Sequence, residues 1–245
     1  MPTSSQNIFL IGDYKLIEEF GSVCNARGLN VLCKLNPPST KKVLPKFLKR
    51  CASIPRNVAI AFELTNGNTA IKQRNLKALD KALNSKKMIL SSSVTITAME
   101  QSTWIKHPSR LVGMSAFPTL LSKKLIEISA TTHTGSETIS HVQDFFLKLG
   151  NQISVVQDRI GMVMPRILCM LINEACFAIT ENIASPRDID TAMKSGTNYP
   201  LGPIEWGNTI GFKNVLDVLE ALWKDLGEER YRTAPLLKQM AIGIK

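Results

Sequence analysis

Two short apolar runs enclose one amphipathic stretch within the first 35 residues, and few folds accept that order. Residues 7–11 are strand formers that stop at Gly12. Residues 15–27 then carry Leu16, Phe20, Val23 and Cys24 on one helical face, with Gly28 as the stop, and residues 30–35 form the second run. Strand, helix, glycine and strand in sequence predict a βαβ unit, the start of a sheet with helices packed on its faces.

The alternation continues through strand candidates at 58–62, 88–91, 111–114, 125–130 and 153–156, with helical patterns at 69–84 and 137–149. Beyond Gln157 it gives way to helices. Residues 159–182 predict one long, mostly buried helix, and Ser185-Pro186-Arg187-Asp188 is a strong start signal for a short one reaching about Lys194. A turn-rich break at 198–203 precedes helical patterns near 212–226 and 233–240. The expected fold is an α/β Rossmann-like domain over residues 1–157 followed by an all-α domain over 158–245. At 245 residues and 44% hydrophobic, the chain has material for both cores.

In a dinucleotide-binding βαβ unit, a G-x-G-x-x-G run lets the backbone approach a pyrophosphate at the helix N-terminus, and an acid after strand two holds the ribose. Here Gly12 takes the first position, Tyr14 and Ile17 the other two, and Leu35 the place of the acid. A side chain on Tyr14 occupies space that the pyrophosphate needs, and Asp13 repels it. The scaffold is expected, with NAD bound only weakly.

Charge is uneven. The net +10 comes from residues 1–157, which hold 20 Lys+Arg against 9 Asp+Glu, whereas 158–245 hold 10 against 11. Residues 34–56 carry Lys34, Lys41, Lys42, Lys46, Lys49, Arg50 and Arg56 and no acid. Such a run is a solvated basic face or a phosphate-binding one. Nucleic acid is not expected, because interleaved aromatics, a basic recognition helix and zinc-finger spacing are all missing. Cysteines at 24, 33, 51, 169 and 176 lack disulfide or zinc spacing and read as reduced thiols of a cytoplasmic protein. Cys169 and Cys176, seven apart on one helix, read as core thiols. No apolar run approaches membrane-spanning length, the start has no basic leader region, and His107, His133 and His141 have no metal-ligand spacing.

Four ordered segments after residue 157 resemble the 3-hydroxyacyl-CoA dehydrogenase family. Asp158-Arg-Ile-Gly-Met-Val-Met-Pro-Arg166 is similar to D-x-P-G-F-x-x-N-R, and Leu171-Ile-Asn-Glu-Ala175 to its L-x-N-E-A helix. Asp188-Ile-Asp-Thr-Ala-Met193 resembles D-I-D-x-A-M, and the segment from Gly196 to Trp206 resembles G-x-x-Y-P-x-G-P-x-E-W. Upstream, Gly113-Met-Ser-Ala-Phe-Pro118 and Lys124-Leu-Ile-Glu127 mirror G-x-H-F-F-N-P and K-L-V-E.

The resemblance implies NAD and an acyl-CoA as ligands, dimerisation through the helical half, and a histidine base oriented by a glutamate twelve residues later. Ser115 stands in the histidine's place and Glu127 in the glutamate's, with the spacing kept. Pro118 and Pro165 replace two family asparagines, and Thr95 falls near the family's active-site hydroxyl. The implied catalytic set is therefore Glu127, Ser115 and Thr95, without a histidine. Gly12 and Lys72 match cofactor positions, although Lys72 by itself reads as an exposed helix lysine and the family's acid five residues before it is Gly67. Lys42, Lys46 and Lys49 are expected on one face of a helical turn beside the crevice, as contacts to CoA phosphates. No metal is expected. An apolar set that includes Ile167, Leu216, Leu219 and Leu222 points to a homodimer. The family also continues past this chain's last residues into a glycine-rich tail, so a shortened and catalytically impaired member is expected, with an active NAD-dependent dehydrogenase as the alternative.

Overall fold

The computed structural model describes residues 6–36 and 43–243. The chain divides into two compact units, the first running to Arg159 and the second from Ile160.

The first unit is an eight-stranded sheet. Its strands are β1 (Asn7–Gly12), β2 (Asn30–Leu35), β3 (Leu48–Arg50), β4 (Ile60–Leu64), β5 (Met88–Ser92), β6 (Leu111–Met114), β7 (Leu125–Ser129) and β8 (Gln152–Val156). They lie in the order β3-β2-β1-β4-β5-β6-β7-β8, every neighbouring pair parallel except β6 with β7. Helices α1 (Tyr14–Ala26), α2 (Thr69–Ala82), α3 (Ala98–Ser102) and α4 (Ser136–Lys148) make the connections. Residues of β1 are apolar almost without break because both sheet faces are covered. Ile8 and Leu10 pack with Leu16, Phe20, Phe62 and Phe146 on one face. Phe9 and Ile11 pack with Leu76, Leu79 and Ile89 on the other.

The sequence reading missed β3, a three-residue edge strand with only Leu48 buried. Its presence corrects the expected helical turn. Lys46 lies in the turn before the strand and Lys49 within it, both exposed, and Lys42 falls outside the described residues. Charged side chains on an edge strand discourage pairing with another sheet, and Lys49 and Arg50 place two on β3.

The second unit comprises α5 (Met164–Thr180), α6 (Pro186–Thr197), α7 (Pro203–Ile210), α8 (Phe212–Leu226) and α9 (Pro235–Ala241). Helix α5 starts five residues later than the apolar pattern suggests, because Gly161 and Met162 have φ of 77° and 49° and break the backbone first. Helix α7 was not expected, since Pro203 reads as a breaker. It stands instead in the first turn, where its missing N–H is no loss. The buried Asp190 of α6 supplies the cap: its carboxylate accepts from the backbone N–H groups of Ile204 at 2.8 Å and Glu205 at 3.1 Å. Asp190 comes so close that a Cβ on Gly202 would lie 2.2 Å from its Oδ1. Glu205 accepts from Lys194 at 2.5 Å and from the Gly202 N–H at 3.0 Å, and these two donors hold its carboxyl below the usual range. Leu219 and Leu222 are buried in the unit's own core, as is most of Leu216, so they leave the apolar set assigned to a dimer contact; Ile167 stays 52% exposed.

Candidate functional site

In a doubly wound sheet the chain leaves β1 toward β2 on one side and reaches β4 on the other, and ligands bind outside the carboxyl ends of the strands at that switch point. The residues there are Gly12, Asn36, Leu64–Asn66, Ser92 and Ser115, so the site is read from them.

Ser115 and Glu127 do come together. The antiparallel register sets Met114 opposite Ile128, and the next step sets Ser115 opposite Glu127, whose carbonyl accepts the Ser115 N–H at 2.9 Å. Both are nearly fully buried. The Ser115 hydroxyl oxygen accepts from the Glu127 backbone N–H at 3.3 Å and thereby extends the sheet edge by one bond. A serine needs a neighbouring base to act near neutral pH, and none of the chain's three histidines is at the strand ends. His107 and His133 precede and follow strands at the amino end of β6, and His141 is on the exposed face of α4. The Thr95 hydroxyl donates to the Asn66 carbonyl at 2.8 Å.

Gly12 has φ of 143°, and a Cβ there would lie 2.4 Å from the Leu64 carbonyl carbon and oxygen. The turn is pulled onto β4: the Asp13 N–H donates to the Leu64 carbonyl at 2.9 Å, and the Asp13 carboxylate accepts from the Asn66 N–H at 3.2 Å. Tyr14 opens α1 with its hydroxyl on Glu18 at 2.7 Å. Ile17 and Leu35 are buried in the core.

Lys72 is a correction. It is fully buried and paired with Glu63, because β4 carries an acid on the face that α2 covers. The acid lies nine residues before the lysine, not at the position of Gly67, and the spacing of an α2 lysine to a strand acid has no fixed value from which to infer it. The parallel register places Lys49 beside Leu32 and starts β3 at Val31, so Lys46 lies toward the amino end of β2.

Several residues to which the sequence reading assigned no role are structural. Asp158 accepts from the Ala98 and Met99 N–H groups at 2.8 and 2.7 Å and caps α3. Asn173 donates to the Arg232 carbonyl and accepts from the Ala234 N–H, both at 2.9 Å, which fixes the entry to α9. Glu19 of α1 accepts from the Thr119 and Ser122 N–H groups at 2.7 and 2.9 Å and pins the loop after Ser115. The sign in the sequence was the acid or amide inside a helix motif, but its partner lay too far along the chain to name. The described cysteines are all free thiols; burial raises Cys176 to about 11, in keeping with a core thiol.

Residues 43–159 match the NAD binding domain of 3-hydroxyacyl-CoA dehydrogenase, and residues 161–242 match its C-terminal domain. The chain belongs to the 3-hydroxyacyl-CoA dehydrogenase family. A probable 3-hydroxybutyryl-CoA dehydrogenase of Bacillus subtilis is 32% identical over 180 residues, 74% of this chain and 63% of that protein. A 3-hydroxybutyryl-CoA dehydrogenase of Clostridioides difficile is 28% identical over 185 residues, 76% of this chain and 66% of its own. The aligned stretch thus spans less than two thirds of either. The crystal structure of the (S)-3-hydroxybutyryl-CoA dehydrogenase of Ralstonia eutropha superposes with a TM-score of 0.80 at 25% identity, covering 98% of this chain and 94% of that one.

The family's NAD-binding domain is therefore present, and its match begins only at residue 43, after β1, α1 and β2. The residues in those first elements do not fit a dinucleotide. Tyr14 and the Asp13 carboxylate stand at the start of α1, where the pyrophosphate would approach. At the end of β2, Leu35 is buried and Asn36 is bonded to Asn75 at 2.8 Å, so no acid faces a ribose there.

Proposed function

We propose that this member of the 3-hydroxyacyl-CoA dehydrogenase family binds an acyl-CoA and does not oxidise it by the histidine and glutamate route. The carrying observation is the Ser115–Glu127 pair, in which a hydroxyl engaged with a backbone N–H stands in the base's position. Glu127 is the retained acid, opposite Ser115 across the β6–β7 ladder. The relatives' names supply the acyl-CoA class.

No NADH is expected to be consumed with acetoacetyl-CoA, and none formed with 3-hydroxybutyryl-CoA, followed at the NADH absorbance band. Ser115→His alone restores nothing, since Pro118 and Pro165 remain. Acetoacetyl-CoA binding by calorimetry is expected to survive Lys46→Glu with Lys49→Glu, given their place on the far edge strand. Turnover by the unmodified protein establishes the active dehydrogenase reading instead.

A homodimer through the helical unit is part of the same proposal, supported by Ile167, Ile183 and Trp223, which are 52%, 70% and 40% exposed. Light scattering at about tens of micromolar, a usual range for weak dimers, is expected to give twice the chain mass of 27.1 kDa. A single-chain mass contradicts it.

A further inference from the structure

The strand ends from β2 to β6 are joined by the chain's own buried side chains. Asn36, after β2, donates to the side-chain Oδ1 of Asn75 on α2 at 2.8 Å. Asn75 in turn donates to Glu63 Oε1 at 3.0 Å and to the Thr65 hydroxyl at 3.4 Å. Glu63 Oε2 takes Lys72 Nζ and accepts from the Ser91 hydroxyl and the Thr65 N–H, each at 3.3 Å. A second chain runs alongside. Asn66 donates to the Ala116 carbonyl at 2.8 Å and accepts from the Ser92 hydroxyl, which ties β4 and β5 to the residue after Ser115.

An ammonium has three hydrogens to donate. Lys72 directs them to Glu63, to the Ser91 hydroxyl at 3.3 Å and to the Ser92 carbonyl at 3.0 Å. None remains for a ribose hydroxyl. A site built for a polar ligand presents polar groups that wait for it. Among the described residues, the buried side-chain atoms without a partner are on Gln101, Arg110, Thr119 and Asn151, and none of the strand-end residues just named is among them.

We infer that Lys72 is the cation of a closed polar lock spanning β2, α2, β4 and β5, which holds those elements together without a dinucleotide. The protein is complete without NAD, and a dinucleotide could engage Lys72 only by stripping Glu63 of its counter-charge inside the protein. This rests on the reading that no NAD-dependent turnover occurs, and it holds whether or not an acyl-CoA is bound.

The decisive contrast is made without ligand. If Lys72 serves the fold, Lys72→Met strands a buried carboxylate and lowers the melting temperature of the ligand-free protein by on the order of 10 °C. Adding Glu63→Gln to that variant removes the stranded charge and restores at least half of the loss. For the unmodified protein, NADH or ADP-ribose at about 1 mM is expected to move the melting temperature by less than about 1 °C. The inference is overturned if Lys72→Met leaves the ligand-free melting temperature in place, or if NADH raises that of the unmodified protein by several degrees. Should Lys72→Met not be recovered folded, the NADH measurement decides alone. NADH binding without turnover would defeat the lock and leave the proposed function standing, so the two can fail separately.

Discussion

Gly12→Ala is expected to destabilise the ligand-free protein by about 4 kcal/mol or more, among the largest effects of a single methyl group. The new Cβ would lie 2.4 Å from both the carbon and the oxygen of the Leu64 carbonyl and 2.9 Å from its Cα, on a residue whose φ is already 143°. Strand β4 has little room to retreat. It pairs with β1 on one side and β5 on the other, and the Leu64 carbonyl also accepts the Asp13 N–H. The expected readout is a melting temperature lower by about 10 °C, with or without NADH. A glycine kept only as space for a pyrophosphate would behave differently, leaving the ligand-free protein untouched and changing only nucleotide affinity. An unchanged melting temperature therefore rejects the packing role.

Asp80→Ala should cost about 3 kcal/mol near neutral pH, the lower end for breaking a buried ion pair. Asp80 and Arg110 have side chains 5% and 3% exposed, at 2.6 Å. The cost stays at that end because Arg110 keeps bonds to the carbonyls of Asp80, Leu83, Asn84 and Lys87, so its charge is not stranded. Burial pushes the Asp80 carboxyl up, but Arg110, the Lys106 N–H at 2.8 Å and His107 at 3.1 Å together outweigh it and hold it below its ordinary value. A carboxyl depressed in the folded state lends stability above its unfolded value, about 3.9, and that stability is lost as pH falls through the folded value. The gap between wild type and Asp80→Ala in urea denaturation should therefore be widest at neutral pH and narrow on acidification below about pH 4. A gap that stays constant down to the lowest pH at which both fold contradicts the assignment.

The order of the elements was readable because its signals are local. Residues 7–35 carry strand, helix and glycine stop within one span, and Ser185 caps α6 through the Asp188 N–H at 3.2 Å three residues on. Partners from distant segments were not readable. Lys72 looked exposed on α2 because nothing in a helical pattern states what the strand beneath carries, and Glu63 was hidden in the otherwise apolar stretch Ile60–Leu64. Helix α7 escaped for the same reason, its cap coming from Asp190, 14 residues before Ile204. Of the basic run, Lys49 lies exposed on the edge strand in register with Leu32, a place its sequence spacing did not state. The missing histidine was plain from the sequence, and the sheet adds what the serine does in its stead.

The antiparallel pairing of β6 with β7 has a consequence for how such chains change over time. Opposed residues across this ladder have position numbers with a constant sum, shared by Gly113 with Ser129 and Met114 with Ile128. A strand that slips by one residue turns every side chain to the opposite face, so the core side chains of β7, Ile126 and Ile128, resist any slip. The interval between Ser115 and Glu127 is thus maintained by the burial of their neighbours, whichever side chains stand at the two positions. Drift at the two positions can exchange one side chain for another, whereas the distance between them changes only when residues are gained or lost in the loop that Glu19 pins.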